Sequence, residues 1–310
     1  MFNKKEILEK TLNILERGNF IISRSYYDKS SFDVLARKRE RILLIKVLVN
    51  IDSLDYKRAQ EIFTLAKTLA SSPLIIGIKT TQGKMENGVV YERYGIFAVT
   101  PQTFEDILLK NLPPLIFSHR GGYYVKIDGK ILKKKRKERN LSLRDVADRI
   151  GVSRKTIYEY EHSNMCATLK TALKLEEYFE TPIAKPIHIF SIARDLFELK
   201  PEYTGNPDLE KLRKIGFKVY PIKKAPFSAL TKGKDEILLT KTLFGPYKLE
   251  TKAKILKSIS RTIKTQAFFV IKKTRQKCIE GVPIIQRKEL ELMEEPQELI
   301  DILKERANFI

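Results

Sequence analysis

The first hundred residues combine helical and extended patterns of apolar positions. Apolar side chains recur at helical spacing over residues 4–17, two short strand-like segments follow near 20–26 and 32–37, and residues 42–49 form an almost continuous apolar run. A second helical pattern, "SLDYKRAQEIFTLAKTLAS", precedes the apolar run "LIIGI". Strands without polar alternation are typical of sheets covered on both faces. The pattern therefore predicts a mixed sheet flanked by helices.

The same pattern returns near the C terminus. "SFDVLARKRERILLIKVL" (31–48) aligns with "PFSALTKGKDEILLTKTL" (226–243), so that Phe32 matches Phe227 and Lys46 matches Lys241. Flanking segments match in the same order: "LERGNFIISRS" resembles "LRKIGFKVYPI", and "TPQTFEDIL" resembles "EPQELIDIL". These matches predict two copies of one module of about a hundred residues.

A purely helical pattern lies between the copies, and two Pro- and Gly-containing stretches, "NLPPLIFSHRGGYY" and "ELKPEYTGNPD", separate it from them. We expect a multidomain chain in which two α/β modules surround a central all-α domain. The predicted limits are 1–112 for the first module, 113–129 for a linker or hairpin, 130–185 for the central domain, 186–208 for a linker, and 209–310 for the second, strongly basic module.

The order of strands and helices in the module resembles the restriction-endonuclease and Holliday-junction-resolvase fold. The resemblance implies an Asp on one strand and an acid-x-Lys triplet on the next, where two carboxylates hold Mg²⁺. The first copy has Asp33 and Lys46, but Leu44 stands where the second carboxylate belongs. One carboxylate holds a hydrated Mg²⁺ poorly. Asp33 is either a polar residue at a strand end or the partner of Lys46.

The second copy keeps Lys241 but has Leu239 and Ser228 at both acid positions. We therefore interpret both modules as nuclease-like scaffolds without a metal. The sequence shows no phosphate loop and no nucleophile paired with a base. We expect no catalytic residues, no cofactor and no enzyme activity, and we keep a nuclease or resolvase as an alternative.

The central segment "LSLRDVADRIGVSRKTIYEYE" (141–161) predicts two short helices joined by a tight turn. Ala147 would let the helices approach closely, Gly151 would adopt the left-handed conformation in the turn, and Ile157 would anchor the second helix. Ser142 and Ser153 are suitable N-caps for the two helices. This spacing is typical of a helix-turn-helix.

Flanking helices complete a longer pattern. "GKILKKKRKERNLS" precedes the motif with a dense basic side, and "MCATLKTALKLEEYFETPI" follows it with Leu169, Ala172, Leu173 and Phe179 predicted inward. Residues 130–183 resemble the Cro/repressor-type helix-turn-helix domain. With both flanking modules, the whole chain resembles an archaeal family of helix-turn-helix transcriptional regulators, which implies DNA binding and transcription control.

In this motif the second helix enters the major groove with its N-terminal residues at base edges. The predicted base contacts are Ser153, Arg154, Lys155, Tyr158 and Glu159. Basic residues of the preceding helix and the cap of the first motif helix are expected to meet phosphates, which position a protein without specifying sequence. The predicted phosphate contacts are Lys133, Lys134, Arg136, Lys137, Ser142 and Arg144.

Charge extends this picture beyond the motif. The chain has 59 basic and 38 acidic residues and a net charge of +21, which favours a polyanionic partner. Residues 211–280 hold 19 basic and 4 acidic residues, whereas residues 1–110 hold 18 and 13. We therefore predict a second nucleic-acid surface on the second module. Its candidate residues are Lys223, Lys224, Lys232, Lys234, Lys241, Lys272, Lys273 and Arg275.

The expected partner is double-stranded DNA, bound by a homodimer that pairs through the first module; no effector ligand can be identified. Two distant cysteines, no signal-peptide pattern and no membrane-length apolar run favour a cytoplasmic protein. A non-specific architectural protein that binds DNA or RNA is a further alternative.

Overall fold

The computed structural model describes residues 3–25, 30–163, 165–190, 203–234, 236–245 and 248–307. The chain divides into two compact units. The first unit comprises Met1–Leu48, Ser53–Ile75 and Phe190–Ile310, and the second comprises Val49–Asp52 and Ile76–Ile189.

The first copy of the repeated module begins with a helix whose predicted limits are confirmed. Its elements are α1 (Lys4–Arg17), β1 (Ile21–Arg24), β2 (Val34–Lys38), β3 (Arg41–Asn50), α2 (Tyr56–Thr68) and β4 (Ser72–Thr80), the last residues of which belong to the second unit. The Asn3 side chain accepts a hydrogen bond from the Glu6 amide and caps α1. β1, β2 and β3 pair antiparallel. Residues 43–48 of β3 are buried throughout, as expected for a strand covered on both faces.

The second unit continues the chain with a hairpin and the central helices. Its elements are β5 (Gly83–Lys84), β6 (Val89–Arg93), β7 (Ile96–Val99), α3 (Pro101–Leu109), β8 (Ile116–His119), β9 (Gly122–Lys126), α4 (Gly129–Glu138), α5 (Leu143–Ile150), α6 (Arg154–His162), β10 (Cys166–Thr168) and α7 (Leu169–Phe179). β6 pairs antiparallel with β7 and parallel with β8. β9 pairs antiparallel with β8 and β10. β8 and β9 lie within residues 113–129, where the sequence predicted a linker or hairpin, and β10 is a short strand within the segment predicted to be all helical.

The central helices share one core with these strands. Val125 and Ala167, from β9 and β10, are buried in the same cluster as Leu132, Ile157 and other helix residues. The hairpin of β8 and β9 is thus packed against the helix-turn-helix.

One predicted core position of α7 is wrong. Leu173 is 56% exposed, whereas Leu175 is fully buried. The helix therefore turns the face of Ala172, Leu175 and Phe179 inward, at the spacing of three and four residues that one helix face requires.

The second copy follows in the first unit. Its elements are α8 (Pro207–Lys214), β11 (Lys218–Pro221), β12 (Ala229–Lys232), β13 (Ile237–Leu243), α9 (Leu249–Ile263), β14 (Gln266–Ile271), β15 (Cys278–Ile279), β16 (Val282–Gln286), α10 (Arg287–Leu292) and α11 (Pro296–Ala307). The sheet order is β11-β12-β13-β14-β16-β15. As in the first copy, three antiparallel strands are followed by a helix and a fourth strand.

Within the first unit the two copies pack against each other through matched positions. The rings of Phe32 and Phe227, which the sequence alignment pairs, stack with their centroids 6.4 Å apart and an angle of 29° between their planes. The Ser31 amide donates to the Lys224 carbonyl at 2.7 Å. α9 of the second copy packs on β1 and β2 of the first. The repeat therefore forms a paired structure within one chain, in which the two matched phenylalanines contact each other.

No helix in the described ranges has both the length and the apolar character needed to cross a membrane.

Candidate nucleic-acid interface

The helix-turn-helix is built from local rules that fix both helix starts and the turn. Ser142 and Asp145 form a reciprocal capping box at α5, and the Ser153 hydroxyl accepts from the Thr156 amide at 3.0 Å at α6. Gly151 ends α5 with φ +83° and ψ +42°, so its predicted left-handed conformation is confirmed. These caps set the direction of α6 relative to α5.

Close packing holds α6 from behind. Ala147 and Ile157 are buried, as the motif predicts. A side chain at Gly129, the first residue of α4, would meet the Tyr160 carbonyl oxygen at 2.4 Å and the Glu161 carbonyl oxygen at 2.6 Å. Only glycine fits there, and it brings the start of α4 against the end of α6. α6 is therefore held on its inner face by the residues packed against it.

The outer face of α6 carries the predicted base-contact residues. Arg154, Lys155 and Tyr158 are exposed, Glu159 is half-buried, and Ser153 is exposed beside its cap hydrogen bond. The structure thus places Ser153 at the N-cap of α6 and the other four residues within its first six positions, with Arg154, Lys155 and Tyr158 on the exposed side. Such a helix can present donors to base edges in a groove.

A contact at the end of α6 escaped sequence analysis. The rings of His162 and Tyr158 stack at 4.3 Å, and His162 Nδ1 lies 2.9 Å from the Tyr158 carbonyl oxygen. The other ring nitrogen, Nε2, lies 3.0 Å from Lys133 Nζ. His162 therefore orients the Tyr158 ring and links it to a lysine of α4. The i, i+4 spacing of the two rings was the available signal.

Some basic residues of α4 and α5 are exposed with only weak internal ion pairs, and one is held by a strong internal ion pair. Lys134 and Arg144 are highly exposed, with only loose pairs to Glu138 and Asp148 at 3.8 Å. Lys137 is exposed on the same helix as Lys134. These three can reach an external phosphate without breaking a strong internal bond.

Arg136 has an internal partner. Its guanidinium donates two hydrogen bonds of 2.6 and 2.8 Å to Glu161. A further guanidinium nitrogen donates to the Leu141 carbonyl oxygen. The Glu161 carboxylate is fully buried, and its hydrogen bond raises the pKa of Arg136. The pair joins α4 to α6. The charge of Arg136 is already matched by Glu161. A phosphate contact by Arg136 stays a prediction, and the phosphate would have to compete with Glu161 for the guanidinium.

The predicted second surface lies partly at one edge of the second module. β13 and β14 are parallel with Leu243 opposite Ile271, so the segments after both strands lie at the same edge, which we call the carboxyl edge. Lys272, Lys273 and Arg275 follow β14 there and are exposed. β12 runs antiparallel with Ala229 opposite Thr240, which brings the preceding loop of Lys223 and Lys224 to this edge as well. Lys241 is half-buried near the end of β13.

Two predicted members of this surface are misplaced. Lys232 stands opposite Ile237, the first residue of β13, so Lys232 and Lys234 lie at the opposite end of the sheet. A count of basic residues along the sequence could not separate these two lysines from the others, because it does not show that the chain reverses direction between β12 and β13. They do not share a surface with Lys272 and Lys273.

The degenerate nuclease position of the first copy is a structural ion pair. Asp33 and Lys46 are buried, with Lys46 Nζ 3.1 Å from Asp33 Oδ2. Asp33 also accepts from Lys4 Nζ at 2.7 Å and from the Val47 amide at 2.8 Å. Burial lowers the pKa of Lys46, and Asp33 opposes that shift. Of the two sequence alternatives for Asp33, the structure favours the partner of Lys46.

The second copy keeps the backbone contact without the charge. Ser228 stands before β12 as Asp33 stands before β2, and its hydroxyl accepts from the Thr242 amide at 3.2 Å. Burial lowers the pKa of Lys241, and nearby Lys252 lowers it further. Leu44 and Leu239 are buried where a second carboxylate would stand. Within the described ranges, no group of three Asp, Glu, His or Cys side chains could hold a metal ion.

Two family models match parts of the chain. A PD-(D/E)XK superfamily domain matches residues 4–114, and a helix-turn-helix family matches residues 132–185. No solved structure matches the chain.

Relatives that match over nearly their full length occur in several archaea and are named putative HTH-type transcriptional regulatory proteins. One from Methanothermobacter thermautotrophicus is 38% identical over 98% of this chain and 97% of its own length. One from Methanosarcina barkeri is 36% identical over 98% and 97%. One from Pyrococcus horikoshii is 34% identical over 97% and 98%. The chain belongs to this archaeal family of HTH-type transcriptional regulatory proteins.

Proposed function

We propose that the protein is a sequence-specific DNA-binding transcriptional regulator. The observation that carries this proposal is the outer face of α6, where Arg154, Lys155 and Tyr158 are exposed while Ile157 is fully buried. A rigid helix of this kind fits the major groove and presents fixed donors there. The names of the relatives and the matched helix-turn-helix family support the same function.

Each predicted base-contact residue can make a contact with DNA that suits its chemistry. Arg154 and Lys155 donate to O6 and N7 of guanine, and Glu159 accepts from N4 of cytosine. Tyr158 packs on a thymine methyl or binds a phosphate, in a ring position fixed by His162. Ser153 donates its hydroxyl proton while its oxygen caps α6.

Phosphate contacts come from the surrounding positive charge. Around α6 they come from Lys133, Lys134, Lys137, Ser142 and Arg144. A further, sequence-independent grip comes from the carboxyl edge of the second module. This edge has Lys272, Lys273 and Arg275 beyond the end of β14.

We propose that neither module cleaves DNA. Both oxygens of Asp33 are engaged by Lys4, Lys46 and the Val47 amide, so the carboxylate is not available to a hydrated Mg²⁺. A Mg²⁺-dependent cleavage assay on supercoiled and linear DNA tests this. Cleavage abolished by Asp33→Asn would support the alternative of a DNA-processing enzyme.

A homodimer that reads two half-sites remains part of the proposal, since each chain has one helix-turn-helix and such domains pair on sites about one helical turn apart. The face of the first module around Phe32 is occupied by the second copy of the same chain. Pairing through the first module therefore uses another of its faces, and sedimentation of the protein with and without its DNA site measures whether the protein pairs.

The decisive experiment is selection of binding sites from random duplex DNA. We expect an enriched palindromic motif. Arg154→Ala should then cost about 1–3 kcal/mol at one base pair and relax specificity there. Lys137→Ala is the matched control and should weaken all sequences alike. Failure to enrich any motif would contradict the proposal and support an architectural role.

A further inference from the structure

Two aromatic rings of the second module are unusually exposed. Phe244 is 86% exposed and Tyr203 is 78% exposed. Large aromatic side chains contribute most to binding when they are covered, and exposed aromatic rings beside cations are the elements that single-strand binding surfaces combine. These two rings have no structural task in the described part of the first unit.

Both rings lie at the carboxyl edge. Phe244 follows Leu243, the last residue of β13. Tyr203 precedes α8, and this segment is held to the end of β13 because Asn206 Nδ2 donates to Thr242 Oγ1 at 3.0 Å. The Asn206 side-chain oxygen also accepts from the Asp208 amide at 3.0 Å. The anchoring fixes where the Tyr203 segment meets the sheet.

Exposed basic residues lie at the same edge as the two aromatic residues, and two acidic residues of α8 have internal partners. Lys272, Lys273 and Arg275 follow β14 at this edge, since Ile271 stands opposite Leu243. Asp208 is buried in a bidentate pair with Arg287. Glu210 accepts from the Thr204 amide and lies 3.5 Å from Arg213. The edge therefore presents exposed cations beside exposed aromatic faces.

We infer that this edge binds single-stranded nucleic acid, with bases stacked on Phe244 and Tyr203 and phosphates held by Lys272, Lys273 and Arg275. A duplex hides its base faces between neighbouring pairs, so it can use the cations but not the rings. An unpaired strand can use both, because every base offers a face for stacking. This inference goes beyond the reading of duplex DNA by α6 and does not depend on it.

The test measures fluorescence anisotropy of the full-length protein with labelled oligothymidylate, oligouridylate and a duplex of random sequence. Phe244→Leu and Tyr203→Leu should each weaken single-strand binding on the order of tenfold, the lower range for loss of one stacked base. Phe244→Tyr keeps the ring and should retain binding. Oligouridylate and oligothymidylate distinguish RNA from DNA as the source of the strand.

Two controls separate this inference from the proposed function. Arg154→Ala should leave oligothymidylate binding unchanged, and Phe244→Leu should leave duplex binding unchanged. Lys272→Ala/Lys273→Ala should weaken both, because both probes carry phosphates. The inference is overturned if neither single strand binds while the duplex does, or if Phe244→Leu binds single strands as well as the unmodified protein.

Discussion

The first module has a carboxylate, Asp33, just before its second strand, whereas the second module has a hydroxyl, Ser228, at the matched position. Each accepts a hydrogen bond from the matched backbone amide, Val47 in one copy and Thr242 in the other. The geometry needed by the sheet is thus the same in both copies while the charge is not. Asp33 stabilises a buried lysine, and its absence leaves the second module with a more positive edge.

The largest expected effect concerns the pairing of the two modules. Phe32 and Phe227 are fully buried and stack on each other at matched positions. Phe32→Ala and Phe227→Ala should each cost about 3–5 kcal/mol of unfolding free energy, because each leaves a cavity at the same place. Urea unfolding measures both. Strongly unequal losses would show that the pairing is not symmetric, and Phe244→Ala, which removes an exposed ring, is the control.

The second largest expected effect is a difference in unfolding free energy between removal of Asp33 in the first module and removal of Ser228 in the second. Asp33→Ala leaves Lys46 buried without its partner, at a cost of about 3 kcal/mol, the lower end for breaking a buried pair, since Lys46 can lose its proton. Ser228→Ala removes one neutral hydrogen bond and should cost about 1 kcal/mol. The double variant Asp33→Asn/Lys46→Met should recover most of the loss. Equal costs for the two single variants would mean that Asp33 acts only as a hydrogen-bond acceptor.

Local rules made much of this architecture predictable from the sequence. The limits of α1 follow from its apolar spacing, and the φ of Gly151 follows from the turn that joins two capped helices. The repeat predicted that strands and helices follow along the second module as they do along the first, and the family and fold class are confirmed. These features depend on residues close together in the chain or on an alignment.

Features that depend on how distant segments are arranged in three dimensions were not predicted. The predicted surface mixed Lys232 with Lys272, although the hairpin of β12 and β13 sends them to opposite ends of the sheet. Leu173 was placed inward because hydrophobicity alone does not fix the phase of a helix with several apolar residues. The stacking of Phe32 on Phe227 joins residues far apart in the chain, and nothing local specifies it.

Charge at the two ends of the second module gives a smaller, salt-dependent effect. Lys272→Ala/Lys273→Ala should make the plot of log affinity against log salt shallower by about 1 for each phosphate that the variant no longer binds. Lys232→Ala/Lys234→Ala removes the same charge at the opposite end and should leave the slope nearly unchanged. Anisotropy titrations across a salt series measure both. Identical slopes for the two double variants would mean that net charge, and not the carboxyl edge, attracts the nucleic acid.

The smallest expected effect is a pH dependence of stability set by the buried Lys46 and the half-buried Lys241. Burial lowers the pKa of Lys46 below 10.5, so between that lowered pKa and 10.5 the unfolded chain binds more protons than the folded chain. Stability contributed by this group therefore rises with pH across the window. Lys46→Met should flatten the rise in urea midpoints, and Lys241→Met should do the same, since burial and Lys252 lower the pKa of Lys241. The exposed Lys232→Met should not, and a rise that survives in both buried-site variants would show that these lysines are not its source.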